Sequence, residues 1–198
     1  MRVYQVLLLG VSGMAIAAFA VFIFYGGGTG GKGLSSIGGS FALIDHKAQP
    51  KTDKDFRGRY MLIYFGYTYC PDVCPTALQS MTEAMDNLDP KTQKKITPIF
   101  ITVDPERDTV KQLNAYVENF HPTTVGLTGT VEEIAKTARV YRVYFGRAKG
   151  VEEDSTDYLM DHSSIVFLMD PDGEYVTHFT HATPPKKLAE RLAKVVGP

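Results

Sequence analysis

Two cysteines follow directly after a buried-strand pattern, and this placement constrains the fold more than any other feature of the chain. Cys70 and Cys74, the only cysteines among 198 residues, lie in the segment CPDVCP. The apolar run Tyr60–Gly66 ahead of them is typical of a strand that is buried on both faces. A helical pattern begins at Val73, so both thiols lie where a strand passes into a helix N-terminus. Unpaired backbone N–H groups and the positive end of the helix dipole favour thiolates at such a place.

Strand and helix patterns alternate from residue 40 onward, which predicts an α/β fold whose sheet is covered on both faces. The predicted strands are 41–44, 60–66, 96–103, 164–169 and 174–180, and the predicted helices are 73–88, 108–120, 131–141 and 183–196. A cysteine pair at the end of the first buried strand, followed by a βα unit and a late hairpin and helix, indicates a thioredoxin-like fold.

The N-terminal segment differs from this globular pattern. Val6–Phe24 contains no charged residue, and roughly 20 apolar residues suffice to span a bilayer. A cleaved signal peptide is the alternative, because Ala18–Ala20 has the small-residue spacing of a cleavage site, but Val21–Phe24 continues the apolar run. Arg2 precedes the span, which favours a cytoplasmic N-terminus. We expect residues 1–25 to form a single-pass transmembrane helix in a bacterial inner membrane, with the soluble domain in the periplasm.

A glycine-rich stretch separates this segment from the domain. Residues 26–39 read GGGTGGKGLSSIGG, a composition typical of flexible linkers. We predict a tether over 26–39 and a thioredoxin-like domain over 40–198. The formal net charge is -1 and the chain has no basic run, so nothing in the composition indicates a nucleic-acid partner.

The cysteine pair is compatible with a disulfide bond or with metal binding. Three residues separate Cys70 from Cys74, whereas redox pairs in thioredoxin-like folds usually have two between them. Pro71 and Pro75 stiffen the loop on either side. Such a loop suits a soft cation at least as well as a disulfide. Because two thiolates rarely complete a metal site, a third ligand is required.

His162 is the candidate third ligand. It lies just before the predicted strand 164–169, at the place where thioredoxin-like folds usually carry a proline that faces the cysteine loop. The other four histidines are interpreted as surface or satisfied core residues: His46, His121, His178 and His181.

Two thiolates and one imidazole form a soft ligand set of low coordination number. Copper fits this set, especially as Cu(I), and Cu(II) is compatible with it. Structural zinc would require a fourth protein ligand. No obvious fourth ligand is present, although Asp72 and Asp161 lie near in sequence. Asp161 could instead orient the site or tune its charge from outside the ligand set.

Three motifs of this chain together resemble the SenC/Sco family of membrane-anchored copper chaperones. They are Gly66–Pro75, Val103–Thr109 and Asp161–Ser163. The resemblance extends from about Gly38 to the last helix, and it includes the anchor and tether in architecture. A CPDVCP segment followed late in the chain by DHS is a specific combination.

The resemblance implies that Cys70, Cys74 and His162 bind copper. The family delivers copper to the binuclear copper site of cytochrome c oxidase subunit II, or prepares that site. We therefore expect a metallochaperone that receives copper from an upstream donor and passes it to this subunit or to another respiratory copper protein. Such a protein binds and transfers its cargo without turnover.

A thiol–disulfide reductase is the main alternative. Cys70 would attack a disulfide and Cys74 would resolve the mixed disulfide, which would keep the cysteines of the oxidase copper site reduced. Both functions can coexist because they use the same sulfurs. A peroxiredoxin-like peroxidase or redox sensor is a third interpretation, but no residue pattern marks a peroxide-activating arginine.

Two further segments lie near the predicted site. Asp104–Asp108 follows the second buried strand, and we interpret it as a turn in which Asp108 caps the next helix. Its alternative roles are partner docking and fixing the cysteine loop. Val151–Asp157 is acidic and precedes His162. We interpret it as a solvated loop, and our hypothesis is that it is mobile and carries His162 toward or away from the thiolates.

Overall fold

Strands alternate with helices along residues 37–148 and 157–197, which are the residues that the computed structural model describes. The strands are β1 (Ala42–Asp45), β2 (Pro50–Thr52), β3 (Tyr60–Gly66), β4 (Ile96–Thr102), β5 (Val125–Thr128), β6 (Phe145–Arg147), β7 (Met160–His162), β8 (Ile165–Met169) and β9 (Tyr175–Thr180). The helices are α1 (Val73–Asp86), α2 (Pro90–Gln93), α3 (Val110–Val117), α4 (Val131–Val140) and α5 (Pro185–Val196), and a 3₁₀ turn spans Asp53–Phe56. The predicted α/β class is confirmed.

The main sheet has seven strands in the order β2-β1-β5-β4-β3-β8-β9. Strands β3, β4 and β5 run parallel to one another, and the strands outside them pair antiparallel. Parallel neighbours need a crossover connection, and α1 and α3 provide it here. The carboxyl ends of β3 and β4 therefore meet at one edge of the sheet, where the backbone N–H of Val103 donates to the carbonyl of Gly66 at 2.7 Å.

The centre of the sheet forms the core of the domain. Every residue of β4 is buried, and in β3 only Tyr60 is partly exposed. Strands that are buried on both faces read as continuous apolar runs, which is why the sequence located both of them. Helix α1 buries the stripe of Ala77, Met81 and Met85 and packs against α5.

Several short elements were not predicted from the sequence. They are β2, α2, β5 and the pair β6 and β7, each of three or four residues, which is too short to show a period. The predicted helix 108–120 is also shorter in the structure, since α3 begins at Val110. Its N-cap is Thr109, whose hydroxyl accepts from the N–H of Gln112 at 3.2 Å. The prediction that Asp108 caps this helix is therefore wrong, because its carboxylate is used elsewhere.

Strands β6 and β7 form a separate two-stranded antiparallel sheet. Phe145 pairs with His162, and Arg147 pairs with Met160. We call this unit the histidine hairpin. Residues 149–156 lie outside the described residues, and with them most of the acidic segment Val151–Asp157.

The predicted anchor over residues 1–25 and most of the predicted tether also lie outside the described residues. Among residues 37–148 and 157–197, no helix combines the length and apolarity needed to cross a membrane. The described end of the tether contacts the domain: Ile37 packs against the core, and the N–H of Gly38 donates to the carbonyl of Val140 at 2.9 Å.

Candidate metal centre

The two cysteines lie where β3 passes into α1, as the sequence predicts. Cys74 is in the first turn of α1 and has 0% of its surface exposed, whereas Cys70 is half-buried. The first N–H groups of a helix have no partner within it, and here the N–H of Cys74 points to Cys70 Sγ at 3.4 Å. Both residues are free thiols. The helix start therefore holds the two sulfurs side by side.

Gly66 allows Cys74 to pack directly against the end of β3. A Cβ atom at Gly66 would lie 2.7 Å from Cys74 Sγ and 2.9 Å from Cε2 of Phe100. Neither neighbour has room to retreat, because both are fully buried. The strand therefore has to end on a residue without a side chain for the sulfur to occupy its position.

Asp108 fixes the loop between Gly66 and Cys70. Its carboxylate accepts hydrogen bonds from the N–H of Thr68 at 3.0 Å and from the hydroxyls of Thr68 and Thr102, each at 2.6 Å. Burial raises the pKa of Asp108, although these hydrogen bonds act in the opposite direction. The segment 104–108 thus fixes the cysteine loop, which was one of its two alternative roles.

His162 is the last residue of β7, and the hairpin places its ring against the sulfurs. The Nε2 atom lies 3.3 Å from Cys74 Sγ, and the Nδ1 atom lies 3.4 Å from the carbonyl oxygen of Ser163. A carbonyl can only accept, so the tautomer in which Nδ1 donates to it turns the lone pair of Nε2 toward the cysteines. A backbone partner of this kind is the usual support of a metal-binding histidine.

The three predicted ligands come together in space. One donor atom each from Cys70, Cys74 and His162 lie within 4.8 Å of one another. Metal–ligand bonds of about 2.0–2.3 Å put neighbouring donors of a trigonal site roughly 3.5–4 Å apart. Small side-chain adjustments therefore suffice to bring all three donors onto one ion.

The cysteines differ sharply in their acidity. The hydrogen bond from Cys74 is the largest of the interactions that lower the pKa of Cys70 to about 3; those from His162 and the N–H of Asp72 add to it, while burial opposes them. The same shared proton, together with burial, raises the pKa of Cys74 far above the usual thiol range. The pair therefore holds one thiolate and one thiol at neutral pH, and a soft cation would displace the remaining proton.

Two tyrosines beside the site were not identified from the sequence. The rings of Tyr64 and Tyr67 meet the His162 ring edge-on, with centroid distances of 6.0 Å and 5.9 Å. The hydroxyl of Tyr64 lies 4.0 Å from Cys74 Sγ. Burial raises the pKa of Tyr64, and raises that of Tyr67 to about 12. The sequence signal that could have indicated them is a tyrosine inside the buried strand and a second tyrosine directly after it.

A cavity of about 300 Å³ opens onto the site, and Cys70, His162, Asp72 and Asp161 are among its lining residues. Both aspartates are exposed. The carboxylate of Asp72 accepts from the hydroxyl of Thr76 at 3.4 Å, and Asp161 lies opposite Gly146 in the hairpin. Their suggested roles outside the ligand set stay predictions.

The remaining histidines lie outside the three-ligand group. His46 Nδ1 accepts from the N–H of Gly126 at 3.1 Å, and the ring of buried His121 contacts the hydroxyl of Thr123 at 2.8 Å. These contacts agree with their interpretation as surface or satisfied core residues.

Comparison with known proteins identifies the family. The family model described as SCO1/SenC matches residues 30–197. The chain belongs to the SCO1/SenC family. It is 44% identical over 163 residues to the human "Protein SCO1 homolog, mitochondrial", a match that covers 82% of this chain and 54% of the human protein. The chain thus spans about half the length of that relative.

Solved SCO structures share the fold. ScoI of Bradyrhizobium japonicum with copper bound has a TM-score of 0.72 and 42% identity, and the match covers 80% of this chain and 99% of that one. Yeast Sco1 with copper bound has a TM-score of 0.74 and 37% identity, covering 81% of this chain and 88% of that one. The predicted thioredoxin-like fold is confirmed.

Proposed function

We propose that this SCO1/SenC protein is a copper metallochaperone that binds one copper ion through Cys70, Cys74 and His162. The observation that carries the proposal is the convergence of two sulfurs and one imidazole nitrogen within 4.8 Å. Soft donors in low number favour Cu(I). Within the described residues this group contains no fourth His, Cys, Asp or Glu, so it lacks the four ligands of a structural zinc site.

Copper in this proposal is cargo, and its recipient is the binuclear copper site of cytochrome c oxidase subunit II or of another respiratory copper protein. Family membership supports this destination, and the copper-bound relatives support copper as the cargo. The site is also suited to transfer, because Cys70 is half-buried and the cavity in front of it is open. Ligands of an upstream donor or of a recipient can approach there and replace the chain's own ligands one at a time.

The location that we propose rests on the sequence. Residues 1–25 would anchor the protein in a bacterial inner membrane, and residues 26–39 would tether the domain on the periplasmic side. The apolar length of Val6–Phe24 and the placement of Arg2 support this arrangement.

A second candidate function is thiol–disulfide reduction, which the acidity of Cys70 favours. The Cys70 thiolate would attack a partner disulfide, forming a mixed disulfide and releasing one partner thiolate. Cys74 would then attack Cys70 Sγ, releasing the second partner thiol and leaving a Cys70–Cys74 disulfide for an external thiol reductant to reduce.

His162→Ala separates the two functions. In cells that lack the endogenous protein, we expect this variant to lose tight copper binding and oxidase activity while the purified chain still exchanges disulfides. His178→Ala is the matched control, since His178 lies on edge strand β9 outside the ligand group. Full oxidase activity of His162→Ala cells without added copper would contradict the copper proposal and leave the reductase in its place.

A further inference from the structure

The histidine hairpin needs contacts outside its own small sheet to keep His162 facing the cysteines. Strands β6 and β7 pair with each other and with no strand of the seven-stranded sheet. The ladder hydrogen bonds that fix β3 relative to β4 therefore have no counterpart between the hairpin and the cysteine loop. Apart from the two-residue connection from His162 to β8, side-chain contacts have to set the position of the hairpin.

One cluster of side chains joins the hairpin to the cysteine edge of the main sheet. The guanidinium of Arg107 lies 3.5 Å from the ring centroid of Tyr158 and 4.7 Å from the ring centroid of Tyr69. Tyr158 lies two residues before β7, and Tyr69 lies in the cysteine loop. Arg107 Nε also contacts Asp104 Oδ2 at 2.6 Å, and the hydroxyl of Tyr158 donates to Asp104 Oδ1 at 2.8 Å. We call Asp104, Arg107 and Tyr158 the tyrosine clasp.

The clasp touches both sides of the copper site. Arg107 belongs to the segment that follows β4, Tyr69 immediately precedes Cys70, and Tyr158 begins the stretch that ends at His162. Arg107 also lies 5.9 Å from the ring of Tyr67, which in turn packs edge-on against His162. One side chain therefore contacts segments that carry a cysteine ligand and the histidine ligand.

A second arginine strengthens the same junction from the hairpin side. The guanidinium of Arg147, at the end of β6, lies 4.1 Å from the ring centroid of Tyr158 and 3.2 Å from a carboxylate oxygen of Glu106. The Arg147–Glu106 pair is exposed, so salt screens it. The Arg107–Asp104 pair is shielded, with side chains 14% and 3% exposed. Tyr158 itself is 5% exposed, so the inner contacts are the stronger ones.

We propose that Arg107 is a positioning residue for copper: through Tyr158 it holds the histidine hairpin at the separation from Cys70 and Cys74 that three-ligand binding requires. The inference rests on the proposed copper function and adds a residue to it. Arg107 does not ligate copper, since a guanidinium stays protonated and offers no lone pair. Arg107 affects copper binding through the position of the His162 imidazole.

The clasp requires an arginine at position 107 and an aromatic ring at position 158. Only a planar guanidinium can stack on two rings while its Nε–H engages a carboxylate. Lysine at 107 would keep the charge and lose the stacking. Phenylalanine at 158 would keep the stacking and lose the hydrogen bond to Asp104, while Asp104 would keep its ion pair.

The test compares full-length variants of the clasp with a remote arginine–aromatic pair. Arg107→Gln, Arg107→Lys and Tyr158→Leu disrupt the clasp, and Tyr158→Phe is the conservative variant. Arg191→Gln is the matched control, because Arg191 lies 5.0 Å from the ring centroid of Phe179 in a different part of the domain. For each chain the measurements are the Cu(I) dissociation constant against a chromophoric chelator, the Cu(II) absorption spectrum, and the thermal midpoint of the copper-free protein.

We expect the three disruptive variants to raise the dissociation constant by about tenfold or more, as removal of supporting groups around a metal site usually does. Their sulfur-to-Cu(II) band should shift toward that of His162→Ala. Added imidazole should restore it, since the cavity of about 300 Å³ can admit a free ring in place of the displaced His162 ring. Tyr158→Phe and Arg191→Gln should stay within about twofold of the wild type. Rescue by imidazole is an effect that general destabilisation would not produce.

The outcomes separate the two proposals. Wild-type dissociation constants and spectra in all three disruptive variants would overturn the clasp while leaving the copper site intact. A weakened site that imidazole restores in His162→Ala but not in Arg107→Gln would also overturn it. Failure of the wild-type chain to bind copper would overturn the proposed function itself. If Tyr158→Leu does not fold, the two Arg107 variants decide.

Discussion

The two halves of the candidate copper site are held in different ways. The cysteine half, Gly66–Cys74, continues from a strand in the middle of a seven-stranded sheet and ends in a helix. The histidine half is a three-residue strand in a two-stranded hairpin outside that sheet. Buried backbone pairing and close packing fix the first half, whereas ring contacts, an ion pair and the short connection to β8 fix the second.

The two halves are therefore suited to different roles, the cysteines to retaining copper and His162 to releasing it. Cysteines held between a core strand and a helix start keep their geometry more readily when metal leaves, because moving the buried Cys74 would disturb close-packed neighbours. A third ligand on a peripheral element can be withdrawn at a much lower cost. In the proposed function, release of copper to a partner would then begin at His162, with the two sulfurs retained until last.

Loss of the Asp108 carboxylate should have the largest effect on stability. Asp108→Ala would leave the buried hydroxyl of Thr102 and both the hydroxyl and the N–H of Thr68 without this acceptor, so we expect the free energy of unfolding in urea to fall by roughly 2–4 kcal/mol. Asp89→Ala is the control: this exposed aspartate accepts from two N–H groups at the start of α2, and its loss should lower the free energy of unfolding by clearly less. Equal losses would mean that Asp108 gives the cysteine loop no special support.

Replacing one glycine by alanine in each half compares how tightly the two halves are packed. Gly66→Ala would place a Cβ 2.7 Å from Cys74 Sγ, and overpacking of this kind costs about 1–3 kcal/mol of unfolding free energy. Gly146→Ala, in β6 of the histidine hairpin, would meet Tyr144 at 3.5 Å, an ordinary contact. We expect it to be close to neutral in chemical denaturation. A hairpin variant that costs as much as the core variant would contradict the comparison.

Removal of His162 should affect copper far more than folding. His162 is half-buried on the hairpin, so we expect His162→Ala to change the free energy of unfolding of the copper-free chain by less than about 1 kcal/mol. Copper affinity should fall severely. Cys74→Ala, on the buried side, should weaken copper binding and also destabilise the copper-free protein. Equal destabilisation by the two variants would show that the hairpin is as integral to the core as α1.

The smallest predicted effect concerns pH: the rate at which Cys70 is alkylated should hardly depend on it. A pKa of about 3 for Cys70 lies below neutral pH, and a lowered pKa means that the thiolate persists at every pH above it. Alkylation of Cys70 by iodoacetamide, followed by mass spectrometry, should therefore have a nearly constant rate from pH 5 to pH 8. Cys74→Ala should restore a rising rate, because it removes the hydrogen bond from the Cys74 thiol, which is the main cause of the low pKa. A tenfold rise per pH unit in the wild type would contradict this assignment.

The sequence located the cysteine half well, because a continuous apolar run and a helical stripe are local patterns. Tyr60–Gly66 is a strand with the predicted bounds. The place of His162 just before the predicted strand 164–169 identified it as the third ligand, and the motif resemblance implied the same residue. The histidine hairpin was not predicted, since strands of three residues show no period, and its partners lie far apart along the chain. No local pattern connects Arg107 with Tyr158 or reveals that Asp108 binds Thr68 instead of capping α3.

The most direct test of the central claim is X-ray absorption at the copper edge of the full-length chain loaded with one equivalent of Cu(I). Ligation by Cys70, Cys74 and His162 predicts two sulfur scatterers and one nitrogen scatterer in the first shell. The nitrogen should disappear in His162→Ala while both sulfurs remain. A first shell without sulfur, or a shell that is identical in the wild type and His162→Ala, would contradict the account.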